Sequence, residues 1–152
     1  MDNQQEPPWG DPRFRNWVSL IRAHKAVDRV LAKALASLSL KVAQLDLLMN
    51  VHRHPGITQQ DLARRLLVGR SNVTMLLPEL ERRKLLKRSA DMKDKRVLRL
   101  SLTDEGRDLL GKALPIYAGL IEQVMSQSSD AECELIGKTM DRITAMLEGN
   151  GV

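Results

Sequence analysis

Two short stretches hold the residues best suited to chemistry with a polyanion. In Arg70-Ser71-Asn72-Val73-Thr74-Met75, a helix that buries Val73, Leu76, Leu77 and Leu80 leaves Arg70, Ser71, Asn72, Thr74 and Met75 on its other side. An arginine forks onto guanine, an asparagine pairs bidentately with adenine, and a Met or Thr methyl touches the methyl of thymine. Ser71, with Thr58 upstream, suits phosphate contact. The second stretch, Asp91-Met92-Lys93-Asp94-Lys95-Arg96, is a charged loop between two strand-like runs. At a hairpin tip, Arg96 can enter a narrow minor groove, where the negative potential is enhanced, with Lys93 and Lys95 adding charge beside it. The plainer alternative is a solvated turn.

Several elements must position these residues. Residues 1–12 are polar and Pro-rich and read as a flexible arm. From Arg13 to Leu38 a long helix carries Phe14, Trp17, Val18 and Ile21 as one apolar stripe. Val27, Val30, Leu31, Ala34, Leu35 and Leu38 form a second, shifted one. That is more apolar surface than a small domain covers, which suits contact with a second copy. A helix over Lys41–Arg53 ends before His54-Pro55-Gly56, and Thr58 is placed to cap a short helix over Gln59–Leu66. A turn at Leu67-Val68-Gly69 leads to a helix from Arg70 to Lys84. Period-two alternation over Leu86–Ala90 and Val97–Leu102 predicts an antiparallel hairpin. Thr103-Asp104-Glu105 starts a helix running to Ser126, with a kink expected at Pro115. A last helix after Ser128-Ser129-Asp130 carries Ile136, Met140, Ile143 and Leu147 as its stripe.

Composition narrows the class. The chain has 152 residues and a net charge of +5, with 43% hydrophobic but only 3% aromatic residues, so its core is aliphatic and helix-forming. Residues 61–100 hold 12 Lys/Arg against 5 Asp/Glu, so one segment supplies the whole positive excess. The single Cys133 cannot form an intramolecular disulfide. No signal peptide or membrane-spanning run is expected, which points to the cytoplasm. No phosphate loop, HExxH or G-x-S-x-G is present, so no enzyme and no cofactor are expected. Trp9, Phe14, Trp17 and Tyr117 all lie outside the basic window, which disfavours stacking on RNA.

Two short helices, a tight turn and a hairpin are the order of a winged helix-turn-helix. Ile57–Ala63, Gly69–Leu77, Leu80–Leu86, Asp91-x-x-Asp94-x-Arg96 and Leu100-Ser101-Leu102-Thr103-Asp104-Glu105-Gly106 together resemble the MarR family of bacterial transcription regulators. The resemblance spans residues 14–147. It implies a mainly α protein with a two-stranded hairpin wing, and a DNA-binding lobe over 41–102. Residues 13–38 and 103–147 would form a helical dimerisation region. The implied function is that of a homodimeric, ligand-responsive repressor on pseudo-palindromic double-stranded DNA. By the same resemblance Arg96 is the minor-groove arginine and Asp94 the acid that orients it. Pro78 and Met75 depart from the family's usual pattern, and Pro78 predicts a kink near Thr74. A protein-interaction module on the same winged fold is the alternative function.

The family's effector cleft lies between the dimerisation helices and the lobe. Candidates here are Trp17, Ile21, Arg22, His24, Lys25, Leu47 and Tyr117, with an anionic aromatic ligand as the implied class. His24 and Asp28, one turn apart, are either an effector or protonation-coupled pair or an exposed ion pair. His52 and His54 lack partners at metal-ligand spacing, so no metal is expected. Glu132 and Glu134 beside Cys133 disfavour a thiolate sensor.

Overall fold

The computed structural model describes residues 9–66 and 70–149, except for the side chains of Arg70, Ser71 and Asn72. The predicted turn at Leu67-Val68-Gly69 lies outside the described residues. The chain divides into two units, Met1–Leu114 and Pro115–Val152.

In the first unit, α1 (Pro12–Leu35) passes through a 3-10 turn (Ala36–Leu38) into α2 (Val42–Arg53). Then follow β1 (Ile57–Thr58), α3 (Gln59–Arg65), α4 (Arg70–Arg82), β2 (Leu86–Ala90), β3 (Leu98–Leu102) and the start of α5 (Asp104–Met125). Asp11 caps α1, accepting from the Arg13 N–H at 2.7 Å. The α-helical part is 24 residues, the 3-10 turn carries the helical run on to Leu38, the predicted end, and a Schellman-type turn stops it there. Ser39 takes φ 50°, the Leu40 N–H reaches the Leu35 carbonyl at 3.3 Å, and Leu35 and Leu40 are both buried. The end of α4 repeats the device. Lys84 takes φ 55°, its N–H bonds the Glu81 carbonyl, and the Leu85 N–H bonds the Leu80 carbonyl at 2.9 Å.

The core is almost all leucine and valine. Helix α2 supplies Leu45, Leu47, Leu48 and Val51, and contacts α1, α3, α4 and β3. A helix buried on most of its faces is a core helix. Its buried polar side chain, Gln44, is satisfied because its Oε1 accepts the Lys41 N–H at 3.0 Å at the helix start.

One element went unpredicted. Ile57 and Thr58 pair with Leu100 and Arg99, so the hairpin becomes a three-stranded antiparallel sheet ordered β1-β3-β2. Two residues are too few for period-two alternation to register. Gly56, at φ 81°, makes the turn into β1, and its N–H bonds the Leu100 carbonyl at 2.9 Å.

Neither internal proline ends its helix. Pro78 lies on the exposed side of α4, which carries on to Arg82, and α5 carries on past Pro115 to Met125. On a solvent face, water can take the carbonyl that proline leaves unpaired.

In the second unit, α6 (Asp130–Gly149) starts with a capping box. The Ser129 hydroxyl accepts the Glu132 N–H, and Glu132 accepts the Ser129 N–H at 2.8 Å. Cys133 is half-buried, its Sγ 3.9 Å from the Met125 carbonyl oxygen. Along α6, Leu135, Ile136, Ile143, Met146 and Leu147 are exposed. Among the described residues no single helix is long and apolar enough to cross a membrane.

Candidate nucleic-acid interface

Helices α3 and α4 pack together, joined by a short link, and the hairpin β2–β3 follows them. Val73, Leu77 and Leu80 anchor one side of α4 in the core with relative exposures of 1% or less. Thr74 and Met75 stand on the opposite, exposed side, as the apolar spacing predicts. Arg70, Ser71 and Asn72 occupy the first turn of α4, but their side chains lie outside the described residues.

Thr58 caps α3. Its Oγ1 accepts the Asp61 N–H at 3.1 Å and donates to the Asp61 carboxylate at 2.8 Å. The hydroxyl proton is therefore engaged, and donation to a phosphate would have to displace the Asp61 contact.

The wing tip is built from two nested acids. One oxygen of Asp91 accepts the Lys93 and Asp94 N–H groups at 2.8 and 3.0 Å, while its other oxygen meets Nε of Arg99. Asp91 is largely covered, and these bonds hold its carboxyl down at about 2, with the Asp94 N–H the largest cause. Asp94 in turn accepts the Arg96 N–H at 3.0 Å, Nε at 3.0 Å and Nη2 at 3.1 Å. The Arg96 side chain lowers the Asp94 pKa and is itself 91% exposed. Arg96 is thus held in a fixed fork and presented to solvent. Lys93 and Lys95 are exposed beside it, and Met92 is 99% exposed.

Further cations brace the lobe. Arg88 on β2 makes a bidentate pair with Glu81 on α4, at 2.6 and 2.8 Å, and reaches Gln59 on α3 at 3.4 Å. Arg99 bonds the Gly56 carbonyl at 2.9 Å, tying the wing to the turn before β1. Arg83, after α4, donates to the Ser39 carbonyl at 2.7 Å. Sequence reasoning missed Asp91, Arg88 and Arg99 as organisers. The repeated aspartate in Asp91-x-x-Asp94 was the available signal for the first; Arg88 and Arg99 also reach Gln59 and Gly56, 29 and 43 positions away.

Arg22 lines a cavity of about 350 Å³ with Trp9, Phe14, Arg15, Val18 and Ser19, where the Trp9 and Phe14 rings meet edge-on with centroids 5.0 Å apart. Trp17, Ile21, His24 and Lys25 are not among its lining residues; Trp17 is 59% exposed, and the exposed His24 Nε2 lies 3.4 Å from the Asp28 carboxylate. Leu47 requires a correction: with 0% exposure it belongs to the lobe core, because α2 is packed on nearly every side. Tyr117 lies in the second unit and is half-buried. His52 is exposed, and no group of three potential metal ligands occurs among the described residues.

A leucine-cored helix pair, a second helix with Thr74 and Met75 on its exposed side and a wing carrying a forked arginine define a winged helix-turn-helix DNA-binding transcription regulator. The chain belongs to the MarR family, whose sequence profile matches residues 38–97. It is 33% identical over 118 residues to the HTH-type transcriptional repressor MdtR of Bacillus subtilis, covering 72% of this chain and 76% of that protein. Among solved structures, S. aureus MepR in complex with DNA is 25% identical with a TM-score of 0.78, over 86% of this chain and 96% of that one. The organohalide-sensing regulator RdhR-CbdbA1625 in its 2,4-dichlorophenol-bound form shares the fold, with TM-score 0.79 at 22% identity, over 94% of this chain and 87% of that one.

Proposed function

We propose that the protein is a homodimeric repressor that reads a pseudo-palindromic operator and releases it when a small effector binds. The observation that carries this reading is Arg96, forked onto Asp94 and otherwise open to solvent at the wing tip. A guanidinium so held enters a minor groove with little rotamer entropy left to lose. Thr74 and Met75, with Arg70, Ser71 and Asn72 in the first turn of the same helix, take the major groove. Lys93 and Lys95 take phosphates.

Dimerisation is supported by the apolar side chains that α6 leaves uncovered, Leu135, Ile136, Ile143, Met146 and Leu147. In the first unit, Trp17, Leu20 and Val30 on α1 are exposed as well. Two lobes then sit one helical turn apart, roughly 34–36 Å on DNA. Repression is supported by the similarity to the repressor MdtR, and effector response by RdhR-CbdbA1625 with its bound 2,4-dichlorophenol. For this chain the effector reading rests on α1, with Trp17, Ile21, Arg22 and His24 as its candidate residues.

Fluorescence anisotropy tests the reading: the protein is titrated against the intergenic duplex beside its own gene and against a shuffled duplex, at two salt concentrations. Tight, salt-sensitive binding to the native duplex alone is expected. Equal and weak binding to both overturns specific DNA recognition and leaves a protein-interaction module.

A further inference from the structure

A second concave feature of the lobe lies apart from the recognition helix. It is a cleft of about 530 Å³ between the turn before β1, the outer side of α3 and β3. Arg64, Arg65 and Arg99 line it together with His54, and among the described residues Asp61 is the one carboxylate in its walls. Pro55 and Ile57 supply apolar lining. The volume is that of an ordinary small-molecule site.

The hydrogen-bond capacity of the three guanidinium groups is far from used. Each has five N–H donors. Arg64 places Nη1 on Asp61 at 3.3 Å, and Arg99 commits Nε to Asp91 and Nη1 to the Gly56 carbonyl. Arg65 has no hydrogen-bonding or ionic partner among the described residues. Three permanent positive charges around a hollow with one lining carboxylate make a receptor for negative charge, and guanidinium forks match the planar or tetrahedral oxygens of carboxylate and phosphate.

We propose that this cleft binds an oxyanion, a carboxylate or phosphate group, on Arg65 and the unspent N–H groups of Arg64 and Arg99. The bound group acts on the wing through Arg99. That guanidinium is shared with Asp91, and Asp91 orders the Lys93 and Asp94 N–H groups that set up Asp94 to hold Arg96. An anion drawing Arg99 into the cleft competes with Asp91 and loosens the tip. Occupancy of the cleft is independent of the DNA-binding reading; the effect on the wing rests on it.

The test uses the full chain at constant ionic strength, titrated with inorganic phosphate and, separately, with benzoate. The arginine Nε–H resonances are followed by NMR, and Arg65→Gln serves as the comparison. Saturable shifts confined to Arg64, Arg65 and Arg99, weakened about tenfold in R65Q, are expected. Shifts that never saturate, that spread over all surface arginines or that persist unchanged in R65Q overturn the site. Saturation by benzoate marks a small carboxylate ligand, and anisotropy should then show it weakening operator binding in the parent but not in R65Q. Saturation by phosphate alone, with the salt slope of DNA binding lowered by about one in R65Q, marks a backbone phosphate as the occupant. If the arginine shifts saturate while no duplex binds, the site stands and the DNA-binding reading fails.

Discussion

Arg96 and Asp94 are joined by a two-pronged contact, Nε to one carboxylate oxygen at 3.0 Å and Nη2 to the other at 3.1 Å, within a single hairpin turn. The pair is exposed, so it contributes little to folding. Its effect is to narrow the directions in which the guanidinium can point. Arg96→Ala should weaken operator binding by about 1–3 kcal/mol while leaving the melting temperature unchanged. Asp94→Ala should keep the arginine and lose part of the affinity. Anisotropy beside thermal denaturation checks both, and unchanged DNA affinity in R96A removes the wing from the interface.

Asp91 makes the wing sensitive to acid. Its pKa lies at about 2 in the folded chain against 3.8 ordinarily. A depressed carboxylate contributes stability that is present in full above the ordinary value and is lost as pH falls through the folded one. The parent should therefore exceed Asp91→Asn in urea midpoint at pH 5, and the gap should close between about pH 4 and pH 2. A gap that stays constant down to pH 2 would show that the Asp91 charge is not what orders the tip.

Gly106 has no room for a side chain. A Cβ there would lie 1.9 Å from the carbonyl oxygen of Leu85, a backbone atom that cannot swing aside. The same carbonyl accepts the Thr103 N–H at 3.2 Å, and the Thr103 hydroxyl, which caps α5, donates to the Lys84 carbonyl at 2.5 Å. Gly106→Ala should cost about 2–3 kcal/mol by forcing the start of α5 off this turn, measured by urea denaturation.

Lys84 offers the opposite change. It is exposed and sits at φ 55°, in the left-handed position where helices usually carry glycine. Lys84→Gly removes the Cβ strain but adds freedom to the unfolded chain. The net expectation is a gain of about 0.5–1 kcal/mol, read as a raised melting temperature.

Most helices and the hairpin were legible in the sequence because each rests on near neighbours, while the Asp94–Arg96 pair followed from the family resemblance. Val73, Leu77 and Leu80 repeat with the helical period, Thr58 stands three residues before the N–H it caps, and Asp94 stands two before Arg96. The helix ends near Leu38 and Lys84 were placed, but the left-handed turns at Ser39 and Lys84 were not, because neither residue is a glycine, the usual sign of such a turn.

By itself the sequence determined the aliphatic core, the order of helices and wing, and the concentration of positive charge in residues 61–100. Only the tertiary structure decided that Ile57 pairs with Leu100, that Arg99 reaches Gly56 across 43 positions and Arg83 reaches Ser39 across 44, and that Leu47 is sealed in the core. Local hydrogen bonds are dictated by covalent geometry over a few residues. Partners far apart in the chain are chosen by packing, and in a core of near-identical leucines the sequence does not mark which one is enclosed on every side.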